Sequence, residues 1–219
     1  MNKKPTEEEL QKMIDAFITR DALYTWEHMK EYIEDAAKRF NLEESTRAVE
    51  YAEKAHEGQL RKHSKVPYIY HPLNMACHAL SLNIIDDAVI SACLLHDVVE
   101  DCDITVEDLP FKEETRELVR VLTREKDDDK TREELLERYY NAIAANPKAT
   151  LIKCIDRCNN LTTMSWGLAK GRIIRTINET DAYYPRLIKV LRSVPEYNNA
   201  SWLLQYQIGS MIDIYKRLL

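Results

Sequence analysis

An apolar run that stops abruptly at charged side chains is the feature that most constrains the fold of this chain. Residues 88–95, AVISACLL, are followed directly by His96 and Asp97, and then by Glu100 and Asp101. A run this apolar must be buried. Glu100 is i+4 from His96 and i+3 from Asp97, so these side chains share one edge of a helix. We therefore predict a buried helix that carries chemistry on one edge.

The polar edge of this helix has the composition of a metal site. The three carboxylates beside the imidazole repel one another inside a cleft unless a cation neutralises them, and a divalent metal explains the grouping. The alternative is an acidic helix end that faces solvent. The His-Asp pair is too short to distinguish these two interpretations, so the rest of the sequence has to decide.

The composition favours an all-α fold. The 219 residues include only 4 Gly and 7 Pro, with 45% hydrophobic and 31% charged residues, which is typical of a soluble helical protein. We predict one domain, 1–219, in which residues 1–45 form an N-terminal helical extension. From apolar spacing and capping residues, the predicted helices cover 6–20, 24–40, 44–56, 71–80, 86–101, 112–124, 131–145, 147–166, 168–193 and 196–219.

Charge and cysteine content exclude several classes of protein. The net charge of −6 and a pI near 5.6 argue against nucleic-acid binding and against binding to anionic membranes. The first residues, MNKKPTEEEL, lack the apolar core of a signal peptide, and no run approaches the roughly 18 apolar residues of a membrane span, so we expect neither secretion nor membrane insertion. Five cysteines without a C-x-x-C pair do not suggest a disulfide framework. We expect a cytoplasmic protein, and no pattern specifies its oligomeric state.

Two further stretches offer candidate metal ligands. His71 ends a loop, PYIYH, just before a predicted helix, and Asp156 lies in an apolar helix where a carboxylate is costly without a metal or a cation. The alternatives are that His71 is an ordinary loop residue and that Asp156 pairs with Lys153 or Arg157. Two nitrogens and at least two oxygens suit Mn²⁺, Fe²⁺ or Zn²⁺ better than Mg²⁺ or Ca²⁺. The candidate ligand set is His71, His96, Asp97 and Asp156.

Three segments together resemble a known family. GQLRKHSKVPYIYHP, LLHDVVEDCDITVEDL and LIKCIDRCNNLTTM are similar, in order and spacing, to the hydrolase domain of the Rel/SpoT alarmone enzymes within the HD phosphohydrolase superfamily. The resemblance spans about residues 46–200, and because a chain of 219 residues leaves little room beyond it, we expect no synthetase or regulatory domain. It implies an HD-domain helical bundle, a stand-alone small alarmone hydrolase. Its expected reaction is Mn²⁺-dependent removal of the 3′-pyrophosphate from the guanine nucleotides ppGpp or pppGpp, giving GDP or GTP.

The resemblance also implies roles for individual residues. Glu100 and Asp101 match the acidic pair that orients or deprotonates the attacking water, a role that suits carboxylates beside a metal. The expected ligands of one Mn²⁺ are His71, His96, Asp97 and Asp156. The residues expected to bind the guanine base and its phosphates are Arg61, Lys62, Ser64, Asn160 and Thr163.

Two departures from the family pattern concern base recognition. The family often has Gly where this chain has Lys65, and often has His where this chain has Asn159. An HD phosphatase acting on another nucleotide, such as NADPH, is therefore an alternative, because only the loop from Arg61 to Pro67 argues for guanine. A second alternative is a non-catalytic HD module that binds nucleotide. The presence of every ligand and of both acidic residues argues against it.

Overall fold

The computed structural model describes residues 6, 8, 25–61, 66–102, 104–124, 130–166 and 169–219. The predicted all-α fold is confirmed: within these ranges the regular structure is helical, apart from an isolated antiparallel bridge between Leu60 and Pro67. The predicted helix at 6–20 lies outside the described residues, except for Thr6 and Glu8. None of the helices in these ranges is both long and apolar enough to cross a membrane.

Most helix ends lie within two residues of their predicted positions. Short 3₁₀ turns cover Val106–Asp108, Met164–Trp166 and Pro195–Tyr197. The α-helices are α1 (Trp26–Phe40), α2 (Glu43–Ala55), α3 (Tyr70–Ser81), α4 (Asp87–Leu95), α5 (Val98–Asp101), α6 (Glu113–Leu122), α7 (Arg132–Ala145), α8 (Pro147–Thr163), α9 (Lys170–Ser193) and α10 (Asn198–Leu218).

Side-chain caps explain why several helices begin where they do. The Thr25 hydroxyl accepts the backbone N–H of His28 at the start of α1. At the start of α7, Thr131 and Glu134 form a reciprocal capping box. Asn146 accepts N–H groups from the first turn of α8, whose first residue is Pro147, where the missing N–H has no cost. These helix starts are therefore specified locally.

Helix α4 forms the centre of the core. Every residue from Ala88 to Leu95 is buried, and the helix packs against α2, α3, α6 and α8. Asp86 caps the helix by accepting the N–H of Val89. The Asp87 carboxylate accepts the backbone N–H groups of Glu44 and Ser45, so the starts of α2 and α4 are tied together.

The prediction of one continuous helix from residue 86 to 101 is wrong in one respect. Helix α4 ends at Leu95, and α5 begins at Val98. His96 keeps right-handed helical angles, but Asp97 has φ −95° and ψ −7°, which opens the turn and interrupts the α-helical ladder. The side chains of His96 and Asp97, at the interruption, both line the same cleft.

Helix α8 is the second buried element of the core. It packs against α3, α4, α6, α7, α9 and α10, and residues 149–158 are buried along its length. This stretch includes charged residues, among them Lys153, Asp156 and Arg157. The buried apolar side chains form one cluster that spans these helices. The single-domain organisation of residues 1–219 stays a prediction.

Candidate active site

An open cleft of about 820 Å³ collects the candidate residues. Its walls come from α3, the α4–α5 connection, α8 and α9, and its two ends differ in charge. We call one side the histidine end, formed by His71, His96, Asp97 and Asp156. We call the other the arginine end, formed by Arg124, Arg132, Arg172 and Arg175.

Three of the four predicted metal ligands form a tight group at the histidine end. One ligand atom each from His71, His96 and Asp97 lies within 4.8 Å of the others. Asp97 Oδ2 is 3.1 Å from His96 Nε2 and 3.5 Å from His71 Nε2. Both imidazoles are buried. Residues that are 25 positions apart in the sequence therefore meet as predicted.

The fourth predicted ligand, Asp156, lies beside this group. Its Oδ1 is 3.4 Å from His71 Nε2 and accepts a hydrogen bond of 2.5 Å from Asn160. Its Oδ2 accepts a hydrogen bond of 2.7 Å from the buried ammonium of Lys153. The ion pair that the sequence offered as an alternative is thus formed, next to the group that would hold the metal. A ligand role for Asp156 stays a prediction.

Hydrogen bonds at the back of each imidazole aim the other ring nitrogen at the cleft. His71 Nδ1 is 2.5 Å from the amide oxygen of Asn159, and His96 Nδ1 is 3.0 Å from the Cys93 carbonyl. A carbonyl only accepts, so His96 Nδ1 donates. His96 Nε2 is close to Asp97, but it makes no aligned hydrogen bond within the described part of the chain. A buried, unsatisfied nitrogen with an anchored ring is what a metal ligand requires.

The charges at the histidine end balance one another without help from solvent. Burial lowers the pKa of His71, which favours a neutral ligand. Burial also acts to lower the pKa of His96, but Asp97 outweighs it and raises that pKa to about 9. Burial opposes ionisation of Asp97 and Asp156, yet the cationic neighbours His96 and Lys153 hold both carboxyl pKa values well below their usual range. A divalent cation held by these nitrogen and carboxylate donors would take the place of the proton on His96.

Tyr68 is a site residue that the sequence interpretation missed. Its hydroxyl donates a 2.5 Å hydrogen bond to Asp97 Oδ2. Burial and the neighbouring Asp97 both raise its pKa, so it stays a donor. The Tyr68 ring packs on the His56 ring, with 4.7 Å between the ring centroids. His56 Nδ1 is 2.9 Å from the Gln59 side-chain oxygen. The signal available in the sequence was the position of Tyr68, three residues before His71 in the same short stretch.

The two predicted catalytic acids follow the metal group on α5. Glu100 and Asp101 both line the cleft. Glu100 Oε1 accepts the backbone N–H of Arg124 at 2.6 Å, and burial raises the pKa of this carboxyl group. The Asp101 carbonyl accepts a hydrogen bond from the Gln59 amide at 3.3 Å, which ties α5 to the segment that carries Arg61.

The predicted nucleotide-binding residues that the structure describes also come together. Arg61 donates to the Asn160 side-chain oxygen at 3.0 Å and to the Thr163 hydroxyl at 3.4 Å. The Arg61 segment is held by the bridge between Leu60 and Pro67. Arg61, Asn160 and Thr163 therefore form one wall of the cleft. Lys62 and Ser64 lie outside the described residues.

The arginine end was not predicted from the sequence. Arg124 donates to Glu179 Oε1 at 2.7 Å, and Arg132 lies 3.4 Å from Glu179 Oε2. Arg172 and Arg175 are exposed on the first turns of α9 and line the cleft. Within the described ranges neither of these two makes an ion pair. With Thr176 and Glu179 they follow an i, i+3, i+4, i+7 pattern, which places them on one helix face.

Comparison with known proteins identifies the family. The family model described as HD domain matches residues 48–187, which include every candidate residue named above. The chain belongs to the HD domain family. This HD-domain chain is 34% identical over 150 residues to the guanosine-3′,5′-bis(diphosphate) 3′-pyrophosphohydrolase MESH1 of Xenopus tropicalis, a match that covers 66% of this chain and 83% of that protein.

Longer relatives and a solved structure agree. The chain is 36% identical over 152 residues to the guanosine-3′,5′-bis(diphosphate) 3′-pyrophosphohydrolase of Aquifex aeolicus, covering 67% of this chain and 21% of that protein. It likewise spans about a quarter of the Vibrio cholerae protein of the same name (24%). A solved metazoan orthologue of SpoT, described as hydrolysing ppGpp, superposes with a TM-score of 0.62 at 25% identity, covering 78% of this HD-domain chain and 94% of the other. The family resemblance expected from the sequence is confirmed.

Proposed function

We propose that this protein hydrolyses the 3′-pyrophosphate of ppGpp or pppGpp, giving GDP or GTP and pyrophosphate. One observation carries the proposal: three separate stretches of the chain bring His71, His96, Asp97 and Asp156 to a single cleft, beside Glu100 and Asp101. The relatives named for this reaction include a protein of which the chain covers 83%.

The proposed cofactor is one divalent ion, Mn²⁺ in the first instance, with Fe²⁺ or Zn²⁺ as alternatives. The residues that would hold it are His71, His96 and Asp97, joined by Asp156 when the latter turns from Lys153. When bound, such an ion lowers the pKa of water and neutralises charge on phosphoryl oxygens. The mixed nitrogen and oxygen donors support these metals over Mg²⁺ or Ca²⁺.

Glu100 and Asp101 are proposed to manage the attacking water. In the reaction, water attacks the phosphorus atom bonded to the 3′ oxygen, and that P–O bond breaks. Glu100 accepts the proton of the water, and Asp101 orients it. The proton returns through solvent to the departing 3′ oxygen, so that GDP and pyrophosphate are released. A carboxyl group whose pKa is raised by burial is a better proton acceptor than an ordinary one near neutral pH.

The rest of the cleft supports a nucleotide with more than one phosphate group. Arg61, with Lys62 and Ser64, is proposed to hold the base and its flanking phosphate, and the planar Arg61 guanidinium suits stacking on a purine. Asn160 and Thr163 line the same wall. Arg172 and Arg175 face the cleft from α9 and offer charge to a second phosphate group, in a chain whose net charge is −6.

The deciding experiment is turnover of ppGpp by the purified protein with Mn²⁺, with nucleotide products separated by chromatography. Equal amounts of GDP and pyrophosphate are expected from the wild type, and none from His96→Ala or Asp97→Ala. His78→Ala is the matched control, because His78 is largely buried on α3, outside the residues that line the cleft. If ppGpp survives while Mn²⁺ is bound, the alarmone assignment is wrong and the HD fold remains.

A second candidate is an HD phosphatase that acts on another nucleotide, such as NADPH. The observation that favours it is the use of Asn159, which stands where the family often has His and here contacts His71 Nδ1 and Arg61. A panel of ppGpp, pppGpp, GDP and NADPH separates the two candidates by their kcat/KM values. Metal binding without turnover of any of them would instead indicate a non-catalytic nucleotide-binding module.

The organisation and location of the protein are part of the proposal. We infer one domain over residues 1–219, with 1–45 as an N-terminal extension beyond the matched family region. A cytoplasmic location is supported by the five cysteines, all of which are free thiols. Limited proteolysis and fractionation of cells test these two points.

A further inference from the structure

A buried carboxylate joins the cationic side chains at the far wall of the cleft. Glu179 Oε1 accepts hydrogen bonds from Arg124 at 2.7 Å, Arg157 at 2.8 Å and the Tyr140 hydroxyl at 2.7 Å. Arg132 lies 3.4 Å from Glu179 Oε2. Glu179 therefore connects α7, α8 and α9 to the chain that follows α6. A buried charge with this many partners is far more restrained than a surface ion pair.

One of these partners also holds the proposed proton acceptor. The backbone N–H of Arg124 donates to Glu100 Oε1 at 2.6 Å, while its guanidinium is bound to Glu179. Arg124 lies two residues beyond the end of α6, so helical hydrogen bonds do not fix it. Its guanidinium also lies over the Tyr139 ring, 5.1 Å from the centroid. Thr123, just before it, is held to α6 because its N–H and its hydroxyl both donate to the Val119 carbonyl, and the side-chain contacts of Arg124 hold the N–H that binds Glu100 from the other side.

We propose that Glu179 is a positioning residue that sets the Glu100 carboxylate through Arg124. The inference rests on the proposed role of Glu100. Glu179 does not touch the histidine end, and it lies on a different helix from every predicted ligand and acid. The Glu179 carboxylate also holds the guanidinium groups of Arg124 and Arg157, so that these two groups are not free to bind a phosphate of the substrate.

The substitution Glu179→Gln tests this role because it keeps the size of the side chain and removes its charge. Arg124 then loses its anionic partner, and the backbone N–H that orients Glu100 is no longer held. Displacement of a catalytic group by about 1 Å costs on the order of 100-fold in rate. We therefore expect kcat to fall about 10- to 100-fold, with KM unchanged or lower because two guanidinium groups are freed.

A double-mutant cycle separates positioning from general structural damage. If Glu179 acts through Glu100, the double variant Glu100→Gln/Glu179→Gln is no slower than Glu100→Gln alone. Multiplied losses would overturn the proposal. Arg124→Met removes the same ion pair while Glu179 keeps Arg157, so it should reproduce the loss of kcat and the lack of additivity even if Glu179→Gln folds poorly.

A measurement without substrate keeps this test distinct from that of the proposed function. Amide hydrogen exchange reports the Arg124 N–H directly, and we expect it to exchange about 10-fold faster in Glu179→Gln while amides within α4 and α8 do not change. Unchanged exchange at Arg124 would overturn the proposal whether or not ppGpp is hydrolysed. If ppGpp is not hydrolysed but the Arg124 N–H exchanges faster in Glu179→Gln, only the proposed function of the site is refuted.

Glu137→Gln is the matched control for this experiment. Glu137 on α7 faces Arg186 on α9 at 3.4 Å, so it joins the same two helices as Glu179 does, but its side chain is 54% exposed and outside the cleft. A surface pair of this kind contributes little. We expect less than about a two-fold change in kcat and no change in Arg124 exchange; an effect equal to that of Glu179→Gln would overturn the positioning role.

Discussion

The two ends of the cleft differ in how their charged side chains are paired. At the histidine end, the carboxylates of Asp97 and Asp156 are balanced by His96 and Lys153, and all except Asp97 are buried. At the arginine end, Arg124 and Arg132 pair with the buried Glu179, whereas Arg172 and Arg175 are exposed and make no ion pair in the described ranges. One end is therefore ordered before any ligand arrives, whereas the other has charge that a ligand can match.

This difference predicts how each end responds to substitution. Removing one partner from a buried charge cluster leaves the others uncompensated, which costs several kcal/mol. An exposed cation is solvated whether or not a ligand is bound, so its loss costs only the interaction with that ligand. Severe effects are therefore expected at the histidine end and at the buried Glu179, and graded effects at the exposed Arg172 and Arg175.

The largest effect is expected from His71→Ala. This variant removes a buried member of the three-residue group that is proposed to hold the metal, so bound metal should fall to background and turnover by at least about 1,000-fold. Metal content by elemental analysis and turnover of ppGpp measure the two losses. His78→Ala, on the same helix α3, should retain both. Stoichiometric metal in His71→Ala would contradict the composition of the group.

The next largest effect is expected at Glu179, on the stability of the protein at low pH. Burial acts to raise the pKa of this carboxyl group, but the positive charges of Arg157 and Arg124 outweigh burial. The net result is a pKa of about 2, lowered from the ordinary 4.5. A lowered pKa in the folded state means that the stabilisation is complete above pH 4.5 and is lost as the pH falls through about 2. It is worth about 3 kcal/mol at neutral pH.

Urea unfolding of wild type and Glu179→Gln at pH 7, 4.5 and 3 measures this dependence. The free energy of unfolding of the wild type should exceed that of the variant by the largest amount at pH 7, and the gap should narrow between pH 4.5 and 3. Titration of the other acids affects both proteins and cancels in the difference. A gap that does not depend on pH would show that the pKa of Glu179 is the same in the folded and unfolded states.

The same comparison explains what the sequence could predict. The histidine end was accessible because His96 and Asp97 are adjacent and follow an apolar run, and because an acid in an apolar helix such as Asp156 needs a partner. The structure forms one of the alternatives offered for Asp156, the ion pair with Lys153, and places its carboxylate 3.4 Å from His71, while its ligand role stays a prediction. Local signals also specified most helix ends.

The arginine end was not accessible in this way. Arg124 and Glu179 are 55 positions apart, and their pairing follows from the packing of α7, α8 and α9 rather than from any local pattern. Arg172 and Arg175 look like ordinary surface charges on an amphipathic helix until the cleft is formed. The interruption at Asp97 was missed for a related reason: residues 88–95 are a continuous apolar run, the polar residues after it keep i+3 and i+4 spacing, and nothing in this local pattern marks the turn at Asp97.

A smaller effect is expected from Tyr68→Phe at the histidine end. The variant removes the hydrogen bond to Asp97 Oδ2 and keeps the ring packed on His56. Loss of such an outer contact typically weakens metal binding 10- to 100-fold, and we expect about 10-fold by calorimetry with Mn²⁺. Tyr51→Phe is the control, because the Tyr51 ring packs on Phe111 away from the cleft. Unchanged affinity would mean that Asp97 is oriented by the fold alone.

The smallest effect is expected from single substitutions at the arginine end. Arg172→Ala and Arg175→Ala should each raise KM for ppGpp about five-fold without changing kcat. A five-fold change corresponds to roughly 1 kcal/mol, the free energy expected for one exposed charged contact. KM should also rise less steeply with added KCl than in the wild type, because fewer charges are screened.

Arg186→Ala provides the control for these variants, since Arg186 lies on the same helix α9 but pairs with Glu137 outside the cleft. Its KM should match that of the wild type. A fall in kcat at unchanged KM in Arg172→Ala or Arg175→Ala would break the comparison between the two ends. It would mean that these cations act on the transition state, and that the arginine end takes part in the chemistry instead of holding a remote phosphate group.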